Sequence, residues 1–198
     1  SVALFEQDDF TKGTSSRSTK LVHGGVRYLA QGDVSLVLEA LRERGLLRKN
    51  ASHLVKNQSF LIPCYRWWEG AFYTIGLILY DLMAANLGFG RSFCIGPKRA
   101  VKTIPMLRKK GMKAGVIYHD GQFDDARLAI SLAETAVEHG AVCLNYVKVD
   151  KLLKNPEGKL NGVEATDLIH GEKYTFNTKV IINATGVFVD DIMKIDNP

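Results

Sequence analysis

The feature that most constrains this chain is the segment from Gly13 to Leu29, where small polar residues, glycines and cations are concentrated. Its hydroxyl residues are Thr14, Ser15, Ser16, Ser18 and Thr19, its glycines are Gly13, Gly24 and Gly25, and its cations are Arg17, Lys20 and Arg27. Hydroxyls and backbone N–H groups solvate phosphate or the polar edge of a bound cofactor, and glycine lets the backbone approach a ligand closely. The segment therefore predicts a ligand-binding loop.

Residue types alone leave two interpretations of the first half of this segment open. The side chains of Thr14 to Ser16 suit the first turn of a helix, because their oxygens accept hydrogen bonds from backbone N–H groups there. Thr14 to Lys20 is then a capped helix start aimed at an anion. The alternative is a polar surface turn followed by a helix.

Read in order, the segment contains the string Thr14-Ser15-Ser16-x-Ser18-x-Lys20-Leu21-x-His23-Gly24-Gly25-x-Arg27-Tyr28-Leu29. This string resembles the signature of FAD-dependent glycerol-3-phosphate dehydrogenases and oxidases. The resemblance implies an enzyme that binds FAD and oxidises sn-glycerol 3-phosphate to dihydroxyacetone phosphate, with quinone or oxygen as electron acceptor. Two rival classes stay open: a related flavin-dependent amine or amino-acid oxidase, and a non-catalytic module that binds anions or membranes.

The resemblance also implies roles for individual residues. Arg27 is the cation for the substrate phosphate, Tyr28 its hydroxyl partner, and His23 the base or polariser, a role that suits an imidazole because it titrates near neutral pH. The alternative for His23 is a structural histidine bonded to a loop carbonyl. The residues implied to contact FAD are Glu6, Thr14, Ser15, Ser16, Ser18, Lys20, Leu21, Val149, Ala184 and Gly186.

Composition sets broader bounds on the protein. A chain of 198 residues with 46% apolar residues is long enough for one large domain or two small ones with a true core. The net charge of +5 favours anionic ligands but does not require nucleic acid, and nucleic acid is not expected as a partner. Cys64, Cys94 and Cys143 are odd in number and far apart in sequence, with no C-x-x-C spacing. Neither a disulfide framework nor a zinc site is therefore indicated, and a reducing compartment is expected.

The amino-terminal residues predict a strand of a dinucleotide-binding domain. Val2 to Phe5 is strand-like and Glu6 follows it, as in the second strand of a βαβ unit whose terminal acid bonds the adenosine ribose. The alternative is an edge strand that ends in a solvated glutamate. Because the chain opens directly on this strand, we expect an internal fragment whose G-x-G-x-x-G turn would lie off its amino end. No signal peptide opens the chain, and the expected location is cytoplasmic. Such a fragment alone is expected to bind FAD weakly or not at all and to lack turnover.

The middle of the chain predicts two helices and a strand. Asp33 is a plausible N-cap of a helix that ends near Asn50, with one face apolar (Val34, Val37, Leu38, Leu41) and the other charged and solvated (Glu39, Arg42, Glu43, Arg44). Phe60 to Pro63 reads as a strand. Ala71 to Leu87 predicts a largely buried helix, with a helix in a membrane interface as the alternative. The resembled family includes peripheral membrane enzymes, so contact with the inner face of a membrane is also expected.

Gly88 to Lys102 predicts an irregular loop, Lys98 to Lys110 a short helix broken by Pro105, and Gly115 to Leu128 a strand, a turn at Gly121 and a helix start. Asp124 is placed to cap that helix and Gly140 to end it. An acid/base pair formed by Asp124 and Asp125 is the alternative to this structural role. The string Asp124-Asp125-Ala126-Arg127-Leu128 also occurs in the resembled flavoenzymes.

The last third predicts a β-meander followed by a buried strand. The strands are expected at 141–146, 147–153, 160–169 and 173–177, and the apolar run 180–182 suits a buried parallel strand before a turn at 183–186. Val187 stands where the resembled family has proline. Together the elements predict an α/β fold: a fragment of a glutathione-reductase-like FAD/NAD(P)-binding domain with parallel strands, an antiparallel meander and an inserted substrate-domain segment. The expected division is 1–58 and 116–198 for the FAD-binding domain and 59–115 for the insertion.

Overall fold

The computed structural model describes residues 1–196, with the side chains of Arg27 and Ala30 outside the description. The strands are β1 (Ala3–Phe5), β2 (Leu21–Val22), β3 (Val55–Cys64), β4 (Phe93–Ile95), β5 (Ala114–Phe123), β6 (Val142–Leu144), β7 (Val147–Lys154), β8 (Leu160–Asp167) and β9 (Lys173–Asn177). The helices are α1 (Val26–Ala30), α2 (Val34–Asn50), α3 (Glu69–Ala84), α4 (Pro97–Thr103), α5 (Asp125–Glu138) and α6 (Val189–Asp196). The chain folds into two compact units, residues 17–128 and residues 1–16 with 129–198.

The unit formed by residues 1–16 and 129–198 contains both kinds of strand pairing. β1 pairs in parallel with β6, and Ala3 lies opposite Val142. β7, β8 and β9 form an antiparallel sheet in that order. The predicted amino-terminal strand and the predicted meander are therefore confirmed.

The predicted buried strand at Val180 to Ile182 is wrong. These residues have no regular secondary structure, and Val180 and Ile182 are 72% and 84% exposed. A parallel strand forms only where a neighbouring strand offers a ladder of hydrogen bonds, and no strand of residues 1–196 pairs with this run. Apolar composition alone therefore does not make it a strand.

The unit formed by residues 17–128 is built around β5. This strand pairs antiparallel with β3 over ten residue positions, from Val55 opposite Phe123 to Cys64 opposite Ala114. The short strands β2 and β4 also pair antiparallel with β5, β2 near its carboxyl end and β4 near its amino end. Gly121 continues β5 instead of turning, so the predicted turn is wrong. Glycine is needed at this position because the β2 backbone approaches closely: an added Cβ would lie 2.9 Å from the Val22 carbonyl oxygen.

Helices α2 and α3 pack together and form the core of this unit. Asp33 caps α2 as predicted, because its Oδ1 accepts a hydrogen bond from the Leu36 amide at 3.1 Å. Val37 and Leu41 are buried against Tyr80 and Ala84. The predicted helix is confirmed, but its faces are rotated from the expected ones: Val34 and Leu38 are each 47% exposed, and Arg44 is only 2% exposed.

The prediction that the apolar helix is largely buried is wrong. Only one face of α3 packs in the core, through Leu77, Tyr80 and Ala84. The other face is exposed, and its members are Phe72, Ile75, Ile78, Leu79 and Leu82. With its 3₁₀ extension to Leu87, this helix is the one helix of residues 1–196 that is long and apolar enough to cross a membrane, judged by length and composition.

The segment from Gly88 to Lys102 is more regular than the expected loop. It contains β4 and begins α4, with Pro97 at the first helical position, where proline is tolerated. The short helix predicted from Lys98 is therefore confirmed, and it ends at Thr103. β4 forms because β5 offers it a free edge opposite β3. The assignment of residues 59–115 to a separate inserted segment stays a prediction.

Candidate functional site

Glu6 lies where parallel strand β1 ends. Its amide donates to the Leu144 carbonyl at 2.9 Å, and its own carbonyl accepts from the Val147 amide at 2.9 Å. Its carboxylate accepts a hydrogen bond from the Asp8 amide at 3.0 Å. An acid fixed at the end of a parallel strand suits the ribose of a dinucleotide, as predicted from sequence. Val149 lies two residues further along β7, so the structure brings these two predicted residues into the same region.

Thr14, Ser15 and Ser16 form a single 3₁₀ turn. Thr14 and Ser15 are exposed, and the Ser16 amide and hydroxyl both donate to the Gly13 carbonyl. No α-helix begins here, so the capped helix start was a wrong expectation, and a polar turn describes the segment better. One reason is that Ser18, two residues after this turn, is held by contacts to a distant carboxylate.

Ser18 and Lys20 both contact Asp125 at the start of α5. The Ser18 hydroxyl donates to Asp125 Oδ2 at 2.6 Å and its amide donates to the same oxygen at 3.2 Å. The Lys20 ammonium forms an ion pair with Asp125 Oδ1. This cluster of Ser18, Lys20 and Asp125, here called the Asp125 clamp, fixes the loop to the end of β5.

The Asp125 clamp decides between the two roles considered for Asp124 and Asp125. Asp124 caps α5, because its Oδ1 accepts from the Arg127 amide at 3.0 Å, which confirms the predicted cap. Asp125 is 4% exposed, and hydrogen bonds from Lys20 and then Ser18 hold the pKa of its carboxyl far below the ordinary value. A carboxylate so stabilised is a poor base, so the structure favours positioning over proton transfer.

Leu21 and the backbone around it continue the anchoring. Leu21 lies opposite Gln122 in the β2–β5 ladder, and the Phe123 amide donates to the Lys20 carbonyl at 3.0 Å. Lys20 itself has a φ of 57°, in the left-handed region that a non-glycine residue adopts only where its surroundings hold it. The Asp125 clamp and the strand pairing supply that restraint.

His23, Tyr28 and Arg27 follow on this anchored backbone. His23 comes directly after β2 and is exposed, and Tyr28 is 42% exposed on the short helix α1. Arg27 belongs to α1, but its side chain lies outside the described part of the structure. Gly25 begins the helix with a φ of 71°, a conformation that favours glycine. The loop therefore presents His23 and Tyr28 to solvent from a fixed base.

Ala184 and Gly186 lie in the exposed segment between β9 and α6. Gly186 has a φ of 60° and opens a 3₁₀ turn that runs to Phe188. The Asn183 side chain organises the approach to this turn, since its Oδ1 accepts from the Thr185 hydroxyl at 2.7 Å. The predicted turn is therefore present, and the contact of these residues with pyrophosphate stays a prediction.

Sequence reasoning missed the role of Asp125 in holding Ser18 and Lys20. The string that contains Asp125 was recognised, but its local pattern is fully explained by a helix start. The partner residues lie 105 and 107 positions away along the chain. The available signal was Asp125 itself, a second acid directly after the cap Asp124, because capping a helix requires only one.

Comparison with known proteins places this geometry in a family. The FAD-dependent oxidoreductase (DAO) family matches residues 1–198, the whole chain. The chain belongs to this FAD-dependent oxidoreductase family. FAD is the cofactor that defines the family, and an acid at the end of a parallel strand with a hydroxyl-rich turn nearby in sequence is a donor and acceptor set that fits a dinucleotide.

Among its relatives, this FAD-dependent oxidoreductase chain is similar to glycerol-3-phosphate dehydrogenases. It is 44% identical to the mitochondrial enzyme of Saccharomyces cerevisiae over 100% of the chain and 32% of that protein. It is 41% identical to the human mitochondrial enzyme over 98% of the chain and 28% of that protein. The resemblance read from the loop is confirmed, and the chain spans about 30% of the length of these relatives.

Solved structures confirm the fold of this oxidoreductase chain. The glycerol-3-phosphate dehydrogenase of Bacillus halodurans, complexed with FAD, matches 98% of the chain and 31% of its own length with a TM-score of 0.73 and 32% identity. L-Proline dehydrogenase from P. horikoshii matches 98% of the chain with a TM-score of 0.71 and 20% identity, which shows the fold alone. The predicted α/β FAD-binding fold with parallel and antiparallel strands is confirmed.

Proposed function

We propose that this chain is part of a flavoenzyme that oxidises sn-glycerol 3-phosphate to dihydroxyacetone phosphate. The observation that carries the proposal is the 44% identity to a glycerol-3-phosphate dehydrogenase over the whole chain. That match includes the loop whose backbone the Asp125 clamp holds, and this loop carries the side chains suited to the reaction.

The proposed division of labour follows the chemistry of the residues. When bound, FAD supplies the acceptor for the hydride that leaves C2 of the substrate. A ring nitrogen of His23 takes the proton from the C2 hydroxyl, because imidazole accepts protons near neutral pH. Arg27 binds the phosphate, since a guanidinium offers two parallel donors to phosphate oxygens, and the Tyr28 hydroxyl assists it.

Binding of FAD is assigned to the remaining predicted residues. Glu6 holds the ribose hydroxyls and Val149 meets the adenine through its backbone. The residues proposed to line the flavin and the pyrophosphate are Thr14, Ser15, Ser16, Ser18, Lys20, Leu21, Ala184 and Gly186. For Ser18 and Lys20 the proposal concerns their backbone, because their side chains are bonded to Asp125. Residues 1–198 alone are expected to retain FAD weakly.

The test is the visible spectrum of the full-length protein before and after anaerobic addition of glycerol 3-phosphate. Flavin bands that bleach support both the cofactor and the substrate. Bands that ignore glycerol 3-phosphate but bleach with an amine or amino acid overturn the substrate and favour the oxidase alternative. A purified protein without flavin overturns the enzyme proposal.

The electron acceptor is tested on the same reduced sample. We propose quinone or oxygen, and adding each in turn separates them by the rate at which the flavin bands return. His23→Gln should slow bleaching by a factor of about 100 or more, because a general base contributes about 10²–10⁴ in rate. His53→Gln is the matched control, since His53 is an exposed histidine of the same unit. Equal rates in the two variants would remove His23 from the mechanism.

We also propose that the exposed face of α3 lies on a membrane surface. Trp67, 86% exposed, precedes a face that presents Phe72, Ile75 and Leu82 at 60–71% exposure. The opposite face carries Tyr80 and Leu77, which are packed in the core of the unit. A helix with one face so engaged suits an interfacial position better than a spanning one.

Sedimentation with vesicles of neutral and anionic phospholipids tests the membrane proposal. Leu82→Lys should reduce binding because it places a charge in the apolar face. Leu132→Lys is the control, since Leu132 is 62% exposed on α5. Undiminished binding by the Leu82 variant would exclude this face as the contact. A position on the inner face of a membrane is part of the same proposal; the yeast and human relatives are named as mitochondrial proteins.

A further inference from the structure

The backbone of Gly24 rests directly on the hydroxyl of Tyr80. A Cβ added at Gly24 would lie 2.3 Å from Tyr80 Oη and 2.5 Å from Leu41 Cδ2, both far inside contact distance. The Gly24 backbone therefore packs directly against this hydroxyl. Glycine is required here because any side chain would force the loop away from Tyr80. The peptide bond before Gly24 joins it to His23.

The Tyr80 hydroxyl is itself held by a buried ion pair. Arg44 Nη1 donates to Tyr80 Oη at 3.2 Å and to Asp120 Oδ1 at 2.6 Å. Tyr80 Oη donates to Asp120 Oδ2 at 3.4 Å. The three side chains come from α2, α3 and β5, so three elements of the unit fix the position of one hydroxyl. Arg44, Tyr80 and Asp120 are called the buried triad below.

Aromatic rings close the buried triad. The Arg44 guanidinium carbon lies 4.7 Å from the centroid of the Phe89 ring and 5.5 Å from that of Tyr80. Burial, and next the charge of Asp120, raises the pKa of Tyr80 above its ordinary value. The phenol therefore keeps its proton and its ability to donate and accept at the same time.

The energetics of such a triad indicate a geometric role. A buried ion pair is weak evidence for stability, because removing two charges from water offsets much of their attraction. What the triad does provide is a fixed hydroxyl at the point where the loop backbone turns toward α1. The residue on one side of that point is His23, and on the other side Gly25 begins α1.

We propose that Tyr80 is a positioning residue: its hydroxyl, held by Arg44 and Asp120, fixes the His23–Gly24 peptide and thereby aims the His23 imidazole at the substrate. This inference rests on the proposed function for the role of His23. Tyr80 is buried in the core and acts through the loop. This positioning role gives a solvent-exposed histidine on a short loop a fixed direction. A fixed direction matters because small displacements of a reacting group cost large factors in rate.

The test compares Tyr80→Phe with Tyr65→Phe in the full-length, FAD-loaded protein. Each change removes one hydroxyl and keeps the ring; the Tyr65 hydroxyl donates to the Arg108 carbonyl at 3.0 Å in the same unit. Tyr80→Phe should lower kcat for glycerol 3-phosphate about tenfold or more with KM within about threefold, because the substrate phosphate is bound elsewhere. Tyr65→Phe should leave both within about twofold.

Amide hydrogen exchange of residues 21–29 supplies a readout that needs no substrate. Tyr80→Phe should speed exchange of the Gly24 and Gly25 amides by about three- to tenfold, since the hydroxyl against which the Gly24 backbone packs is lost. Equal kcat and equal exchange in the two variants would overturn the inference. If the flavin of the wild-type protein ignores glycerol 3-phosphate, the proposed function fails, and the exchange comparison still decides whether Tyr80 holds the loop.

Discussion

Arg44 Nη1 lies 2.6 Å from Asp120 Oδ1, and the two side chains are 2% and 5% exposed. They are 76 positions apart in the sequence and come from α2 and β5. Asp120 Oδ1 also accepts a hydrogen bond from the Gly121 amide at 3.2 Å. The pair therefore ties the helical layer of this unit to its central strand.

Breaking this ion pair should be far more damaging than replacing it. Asp120→Asn leaves the Arg44 charge buried without compensation, and we expect the free energy of unfolding to fall by about 3–5 kcal/mol. The double variant Arg44→Met with Asp120→Leu should lose less, because no charge remains in the core. Urea denaturation of the full-length protein measures both. A double variant that is less stable than Asp120→Asn would contradict this account.

Gly24→Ala should destabilise the protein by roughly 1–3 kcal/mol, because the added methyl overlaps Tyr80 Oη and Leu41 in a packed core. Gly13→Ala is the matched control in the same segment, since an added Cβ there meets nothing within 4 Å. Thermal unfolding of the two variants, compared with the wild type, is the measurement. Similar melting temperatures for both variants would show that the loop tolerates displacement from Tyr80.

Acid should weaken the Asp125 clamp in a defined pH range. The carboxyl of Asp125 has a pKa below its ordinary value of 3.8, chiefly because Lys20 and Ser18 donate to the ionised form. A carboxyl with a lowered folded-state pKa stabilises the protein above its unfolded pKa, and this contribution disappears as pH falls through the folded pKa. The difference in melting temperature between the wild type and Asp125→Asn should thus be constant from about pH 5 to 8, because the Asp125 carboxyl is ionised in both the folded and the unfolded protein there. This difference should shrink below about pH 4. A difference that persists unchanged at pH 3 would assign the stabilisation to packing instead.

His170 should titrate above its ordinary pKa of 6.5. Its Nδ1 lies 2.7 Å from Asp167 Oδ2, and this hydrogen bond and the negative charge of Asp167 raise the pKa of the imidazole. The interaction stabilises the turn at low pH and is lost as pH rises through the raised pKa. NMR titration of the His170 ring should show the shift, and Asp167→Asn should return it toward the ordinary value.

Local patterns in the sequence predicted the elements whose signals are local. The N-caps Asp33 and Asp124 and the β-meander need only a few neighbouring residues to specify them, and all are present. The family resemblance supplied the fold as a whole. For the caps and the meander, the residue pattern and its physical cause lie within one turn or one hairpin.

The wrong predictions concern partners that are distant in the chain. Arg44 was expected in solvent because its neighbours are charged, and its burial is explained by Asp120 and Tyr80, which lie far away in the chain. The exposed face of α3 and the irregular run at Val180 to Ile182 have the same cause: apolar composition does not say which surface, if any, will cover a residue. In the site, residue identities came from the motif, whereas the anchors Asp125 and Tyr80 required the three-dimensional structure.

The separation between Ser18 and Asp125 also sets the order in which this protein acquires its structure. The two residues are 107 positions apart, so at a synthesis rate of about 5–20 residues per second the loop leaves the ribosome roughly 5–20 seconds before its partner. β2 is equally dependent, since the strand that pairs with it is β5. The loop with the strongest functional signature is therefore among the last parts of its unit to become ordered. Translation pauses or chaperone binding within that interval act on a loop that is not yet folded.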